Sequence, residues 1–212
     1  MRHRYLVVEG PIGVGKTSLA GLLASKLDAE LVLEDVDNPF LREFYEDRAR
    51  VSFQTQVFFL LARHRQQERV RQRSLFQPVM VSDYLFAKDK VFAHLNLSDD
   101  ELALYERLYA LLSEAAVEPD LVLYLQASTD VLLRRIELRA REFERRIARA
   151  YVEAVNEAYN YFFYHYRKTP LLVVNTDRID FVRRPHDLDD LVKQVSIMEV
   201  GTRYFVPAPS GD

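Results

Sequence analysis

The chain has 212 residues, 49% of them apolar and 29% charged, with a formal net charge of -3 and no cysteine. A chain of this length buries enough surface to fold without a disulfide or metal staple, and the lack of Cys excludes thiolate nucleophiles and Cys-ligated zinc. Its five His form no sequence-local cluster, so any catalysis rests on carboxylates, hydroxyls, Lys and Arg.

The basic start runs into an apolar stretch that Glu9 breaks after four residues, too short for a signal peptide. Strands are predicted at 4–9, 30–33, 79–82, 121–126 and 171–175, each nearly continuous in apolar residues, as strands covered on both faces are. Helical period fills the intervals, at 16–27, 39–45, 53–73, 84–95, 99–116, 129–139, 147–167 and 186–199. Strands alternating with crossover helices predict an α/β fold with a five-stranded, doubly wound parallel sheet. Ser98 to Glu101 reads as a capping box, and Ser128 as the cap of the helix after the fourth strand. No linker divides the chain, so 1–206 reads as one domain and 207–212 as a flexible tail.

The longest uninterrupted apolar run, Val57 to Ala62, is far below a membrane span. The expectation is a cytoplasmic protein with no membrane partner, and the acidic balance argues against a nucleic acid partner. Arg outnumbers Lys by 23 to 6. Arg is the bidentate phosphate binder, but taken alone this bias reads as mostly surface.

Directly after the first predicted strand stands Gly10-Pro11-Ile12-Gly13-Val14-Gly15-Lys16-Thr17-Ser18, which satisfies G-x-x-x-x-G-K-[ST] and opens an amphipathic helix. Glycines let successive N–H groups face a triphosphate, and the helix N-terminus adds partial positive charge. Lys16 is expected on the β/γ-phosphates and Thr17 on Mg²⁺, with Gly10, Gly13, Val14, Gly15 and Ser18 completing the cradle. The motif implies a nucleoside triphosphate and Mg²⁺ but leaves the phosphoryl acceptor open.

Glu34 falls at the carboxyl end of the second strand, next to the strand carrying the loop if sequence neighbours pair. Ligands bind along that edge of open α/β sheets, so Glu34 reads either as a hydroxyl-activating base or as a solvated charge. For Asp35 and Asp37 the solvated charge is the better reading.

The residues Glu34, Asn38-Pro39-Phe40-Leu41, Phe44-Tyr45-Glu46-Asp47 and Phe53-Gln54-Thr55-Gln56 through Arg63 begin a longer pattern. It continues through Ser82-Asp83-Tyr84, Leu133-Arg134-Arg135-Ile136, Arg139-Ala140-Arg141, Glu144 and Val173 to Asp177. In this order, over nearly the whole chain, it resembles the deoxynucleoside kinase family of deoxyadenosine, deoxyguanosine and deoxycytidine kinases. The resemblance implies that Glu34 is the general base for the nucleoside 5'-hydroxyl and that Gln56 pairs with the base edge. It implies that Arg63 and Asp89 position the base, with Lys88 the alternative to Asp89 if the alignment shifts by one. Tyr45 and Glu144 would meet the sugar 3'-hydroxyl, the Tyr45 ring crowding a 2'-hydroxyl. Asp83 would hold Mg²⁺ with Thr17. After Asp83 the family often has an arginine, and here that position is Tyr84.

Arg134, Arg135, Arg139, Arg141, Arg145, Arg146 and Arg149 crowd one segment, where like charges on a helix repel. A lid at about 139–149, closing over a triphosphate, explains them better. By resemblance Arg135 faces the ATP base, Arg139 and Arg141 hold its phosphates catalytically, and Asp180 and Phe181 lie in the loop that encloses the adenine. For Arg145, Arg146 and Arg149 a solvated basic helix is the better reading. The expected protein is a P-loop kinase transferring the γ-phosphate of ATP to a deoxynucleoside in nucleotide salvage, as a homodimer. The alternatives are a thymidylate-type monophosphate kinase and an ATP-binding regulatory module without transfer activity. Tyr84 argues against the monophosphate kinase, which needs a cation for the acceptor's phosphate.

Overall fold

The computed structural model describes residues 3–34, 37–73, 79–140, 147–179, 181 and 184–206. The strands are β1 (Tyr5–Glu9), β2 (Glu30–Val32), β3 (Met80–Ser82), β4 (Leu121–Gln126), β5 (Leu171–Asn175) and β6 (Thr202–Phe205). They form one sheet in the order β2-β3-β1-β4-β5-β6, every pair parallel. The helices are α1 (Lys16–Leu27), α2 (Leu41–Glu46), α3 (Arg48–Arg73), α4 (Asp89–Asn96), α5 (Asp99–Ser113), α6 (Thr129–Arg139), α7 (Arg149–His165) and α8 (Pro185–Ile197), with a 3₁₀ turn at Phe86–Lys88.

Period-2 alternation sends the strand side chains into two layers. Leu6 and Val8 of β1, with Leu121, Leu123 and Leu125 of β4, meet α1, α6 and α8 through Leu19, Leu23, Leu132, Leu191 and Val195. Tyr5 and Val7, with Val122 and Tyr124, meet α2, α4 and α7 through Phe44, Val91, Tyr151, Tyr159 and Phe163. Both faces are therefore dry, which is why the strands read as continuous apolar runs. A smaller cluster of Leu60, Phe86, Ala93 and Tyr105 ties α3 and α5 to the 3₁₀ turn and α4.

The sheet corrects two expectations. It has six strands rather than five, β6 adding an edge beside β5. β2 pairs with β3 and not with β1, so the strand ending in Ser82 lies between Glu34 and the glycine loop. Strand order therefore reverses around β1, and a crevice opens above the carboxyl ends there.

Helix boundaries shift where local geometry competes with period. α3 begins at Arg48, five residues earlier than the pattern predicts. The predicted helix 84–95 is instead an extended Leu85, the 3₁₀ turn and α4. The capping box at Ser98 forms, with the Ser98 N–H donating to Glu101 Oε2 at 3.0 Å. Ser128 is the N-cap of α6 but makes no side-chain cap bond; its N–H donates to Asp177 Oδ1 at 2.7 Å. The predicted tail 207–212 lies outside the described residues.

Candidate active site

The loop between β1 and α1 closes on glycine geometry. Gly13 has φ +84°, and a Cβ there would stand 2.7 Å from Ile136 Cγ1 and 2.8 Å from Leu132 O, so α6 packs directly on the bare backbone. Lys16 reaches back across the loop and donates to Gly10 O at 2.7 Å and Pro11 O at 3.2 Å. Burial pushes its ammonium down to about 8; Lys88 adds to the drop, while Glu9, Glu34 and Asp83 oppose it.

A cavity of about 480 Å³ lies over this loop, lined by Gly13, Val14, Gly15, Lys16, Thr17 and Ser18, with Arg135, Arg139, Thr176 and Phe181. Arg135 spans it: Nη1 donates to Val14 O at 3.1 Å and Thr176 Oγ1 at 3.0 Å, and Nη2 to Thr176 O at 2.7 Å. One guanidinium thus clamps the glycine loop to the segment after β5. Gly10 stands outside this lining and enters through its carbonyl on Lys16.

A second cavity of about 320 Å³ adjoins it, lined by Lys16, Thr17, Glu34, Tyr45, Gln56, Phe59, Arg63, Asp83, Lys88, Phe92 and Arg139, among others. The two cavities share Lys16, Thr17 and Arg139. Gln56, Phe59 and Arg63 follow at i, i+3 and i+7 on α3, which places all three on one helix face. Gln56 is buried and lines the cavity.

Glu34 is the centre of an ionic cluster. Its Oε1 accepts Nε of Arg63 at 2.9 Å and a second guanidinium N–H of the same residue, and its Oε2 accepts Lys88 Nζ at 2.7 Å. Burial opposes ionisation of Glu34, yet Lys88 and then Arg63 override it and hold the carboxyl well below the ordinary carboxylate range. Arg63 also pairs with Asp89, and its Cζ lies 4.7 Å from the Phe59 ring centroid. Asp89 is fully buried behind Arg63 and does not line the cavity; Lys88 does.

Asp83 joins the two sites. Its Oδ1 accepts the Glu34 N–H at 2.6 Å and its Oδ2 the Thr17 hydroxyl at 2.6 Å. Two hard oxygens at a helix N-terminus beside a phosphate cradle suit Mg²⁺, which takes one or two carboxylates and fills its octahedron with water and phosphate oxygens. Among the described residues no three His, Asp or Glu side chains are grouped so as to hold a metal ion by themselves.

Tyr84, in the position after Asp83, turns away from both cavities. Its ring is fully buried and its hydroxyl accepts Gln67 Nε2 at 3.1 Å; burial pushes the phenol well up. Arg141, Glu144 and Asp180, and most of the 139–149 lid, lie outside the described residues.

Sequence reasoning missed Glu9, which it used only as a break in an apolar run. The carboxylate is fully buried, with Oε1 accepting Gly10 N–H at 2.9 Å and the Tyr159 hydroxyl at 3.1 Å, and Oε2 accepting Leu85 N–H at 2.7 Å. A carboxylate ending an apolar central strand is the signal that marks it.

Residues 6–199 match the family model described as deoxynucleoside kinase. The chain is 35% identical over 198 residues to a deoxyguanosine kinase of Bacillus subtilis strain 168, covering 90% of this chain and 95% of that one. A deoxyadenosine/deoxycytidine kinase of the same organism is 29% identical, over 92% and 93% of the two chains. The fold superposes on the deoxyadenosine kinase of M. mycoides with products dCMP and dCDP bound, with a TM-score of 0.80 and 24% identity over 91% of this chain and 98% of that one.

Proposed function

The chain belongs to the deoxynucleoside kinase family, and from that premise we propose that it carries the γ-phosphoryl of ATP to the 5'-hydroxyl of a deoxynucleoside at the junction of the two cavities. The observation that carries this reading is the sharing of Lys16, Thr17 and Arg139 by a phosphate cradle and by a pocket that holds the ionised carboxylate of Glu34. Donor phosphates fit over the glycine loop. The acceptor fits beside Glu34.

In this reading Phe59 and Phe92 give the base apolar walls, and the Gln56 amide offers it a donor and an acceptor side by side. Tyr45 stands at the sugar, and Asp89 acts on the base only through Arg63. Glu34 accepts the 5'-hydroxyl proton as the oxygen attacks, while Lys16 and Arg139 face the charge on the transferring group. Thr17 and Asp83 are the residues that would hold Mg²⁺, whose charge, when it is bound, offsets that of the phosphates. Arg141 and Glu144 are assigned to a lid at about 139–149, and Asp180 to the adenine loop beside Phe181.

Four cations line the acceptor pocket: Arg63 is committed to Glu34 and Asp89 and Lys88 to Glu34, while Lys16 and Arg139 are shared with the phosphate cradle. With Tyr84 turned into the core, this supports a neutral nucleoside as acceptor over a monophosphate. Exposed Tyr161 and Tyr164 on α7, beside a groove lined by Val91, Leu95, Ala158 and Phe162, support assembly as a homodimer through α4 and α7. Among the described residues no helix is long and apolar enough to cross a membrane. We place the enzyme with the ATP pool of the cytoplasm, with 1–206 as one kinase domain.

The test is a phosphorylation assay with ATP over the four deoxynucleosides, their ribonucleoside counterparts and their 5'-monophosphates. A deoxynucleoside 5'-monophosphate is the expected product. Turnover of monophosphates alone would overturn the reading.

A further inference from the structure

The position after Asp83, the first place to seek a cation for the acceptor site, holds a buried tyrosine bonded to Gln67. A different cation fills the gap. Lys88 closes the 3₁₀ turn, is 3% exposed, and places Nζ 2.7 Å from Glu34 Oε2 and 4.0 Å from Glu9 Oε2. We propose that Lys88 is the positioning residue of the general base, presenting Glu34 so that its Oε2 takes the proton of the acceptor hydroxyl. This rests on the assignment of Glu34 given above.

A carboxylate oxygen accepts about two hydrogen bonds. Oε1 of Glu34 already accepts two N–H groups of Arg63 and is full. Oε2 accepts one, from Lys88, and keeps one direction open at the cavity wall. Arg63 and Lys88 arrive from different elements, α3 and the 3₁₀ turn, so together they fix both the place and the rotation of the carboxylate plane. The turn is itself anchored, since Leu85 N–H donates to buried Glu9 Oε2 and Lys88 N–H to Leu85 O at 3.0 Å. A buried ammonium is costly unless paired, and Glu34 and Glu9 are the carboxylates on either side of it.

The 5'-oxygen forms its bond to the γ-phosphorus, the bond from that phosphorus to the β–γ bridging oxygen breaks, and the electron pair leaves on ADP. The hydroxyl proton passes to Glu34 Oε2.

The experiment is a double-mutant cycle on the full-length enzyme with Glu34→Gln, Lys88→Met and both together. Measured are kcat and KM for the best deoxynucleoside at saturating ATP and Mg²⁺, the Kd for ATP, and the thermal midpoint of each variant. Lys88→Met is expected to lower kcat about 10- to 100-fold, with nucleoside KM and ATP Kd within about threefold of the parent, because it disturbs a proton acceptor rather than a binding surface. In the Glu34→Gln background it should cost less than about threefold more. A parental kcat in Lys88→Met overturns the proposal, as do losses that multiply in the double variant, which would mean that Lys88 acts on the phosphates directly. If Lys88→Met does not fold, the polar Lys88→Gln carries the same cycle. Full kcat in Glu34→Gln would instead overturn the base assignment of the proposed function.

Discussion

Replacing Asp83 by Asn separates the two tasks that this carboxylate performs. The side chain is buried, Oδ1 accepts the Glu34 N–H and Oδ2 the Thr17 hydroxyl, both at 2.6 Å. An amide of the same shape retains one acceptor. Its oxygen must face the Glu34 N–H, which can only donate, and its NH₂ then faces Thr17, whose hydroxyl rotates from donor to acceptor. Both hydrogen bonds survive, but each falls from the charge-assisted range of about 1.5–3 kcal/mol to a neutral one of about 0.5–1.5 kcal/mol. The loss is about 1–3 kcal/mol together, a fall of about 2 to 12 °C in midpoint for a chain of this size. Function should suffer far more, since the amide turns its NH₂ toward the place where a cation would sit. The expected result is a folded enzyme that binds the deoxynucleoside normally, in which kcat falls by about 10²-fold or more and Mg²⁺ no longer strengthens ATP binding. Differential scanning fluorimetry, nucleoside binding and a Mg²⁺ titration of ATP affinity read the three quantities. A variant with the parental Mg²⁺ response would remove Asp83 from the metal site, whatever its activity.

Gly13→Ala forces a side chain into left-handed backbone against Leu132 O and Ile136; strain alone costs about 1–2 kcal/mol, so the midpoint should drop by several degrees and ATP binding should be lost in a direct titration. Tyr45→Phe keeps the ring edge-on to Phe44 at 5.5 Å and in the acceptor wall, so efficiency should fall by about 1–2 kcal/mol while deoxyribose preference survives. Tyr45→Ala removes the wall and should erode that preference in competition assays; an unchanged deoxyribose-to-ribose ratio in both variants would make Tyr45 a packing aromatic. Arg135→Ala severs the clamp between Val14 and Thr176 and should raise KM for ATP about tenfold or more, at about 1.4 kcal/mol per decade. Nucleoside KM should stay near the parental value in the same steady-state data.

What the sequence makes legible is what local rules encode. The phosphate loop is contiguous, and its glycines, Lys16 and Thr17 are fixed by a strand before and a helix after. Gln56 and Arg63 share a face because seven residues are two helical turns. β6 escapes because nothing local marks it: Thr202–Phe205 is a short, mostly exposed edge strand whose pairing with β5 is its reason to exist. Ser128 misleads too, since its side chain makes no cap bond and it is its own N–H that is tied, to Asp177 49 residues away. The edge position of β2 is equally silent, because an apolar run reads alike beside β1 or beside β3.

Lys88 is the case in which a local rule hides the function. Read as one continuous helix from 84, the segment places Lys88 one turn after Tyr84, and nothing in a 3.6-residue period sends it toward Glu34. The backbone instead stays extended at Leu85, φ -105° and ψ 127°, and restarts as a 3₁₀ turn. Glu9 causes the break, because its Oε2 takes the Leu85 N–H while Oε1 takes that of Gly10, so one carboxylate sets both the phosphate loop and the turn. The end of β1 is therefore tied at once to the glycine loop and to the turn that carries Lys88 to Glu34. An enzyme built this way has no need of a charge directly after Asp83, and the tyrosine there is free to complete the core between Ser82 and Gln67.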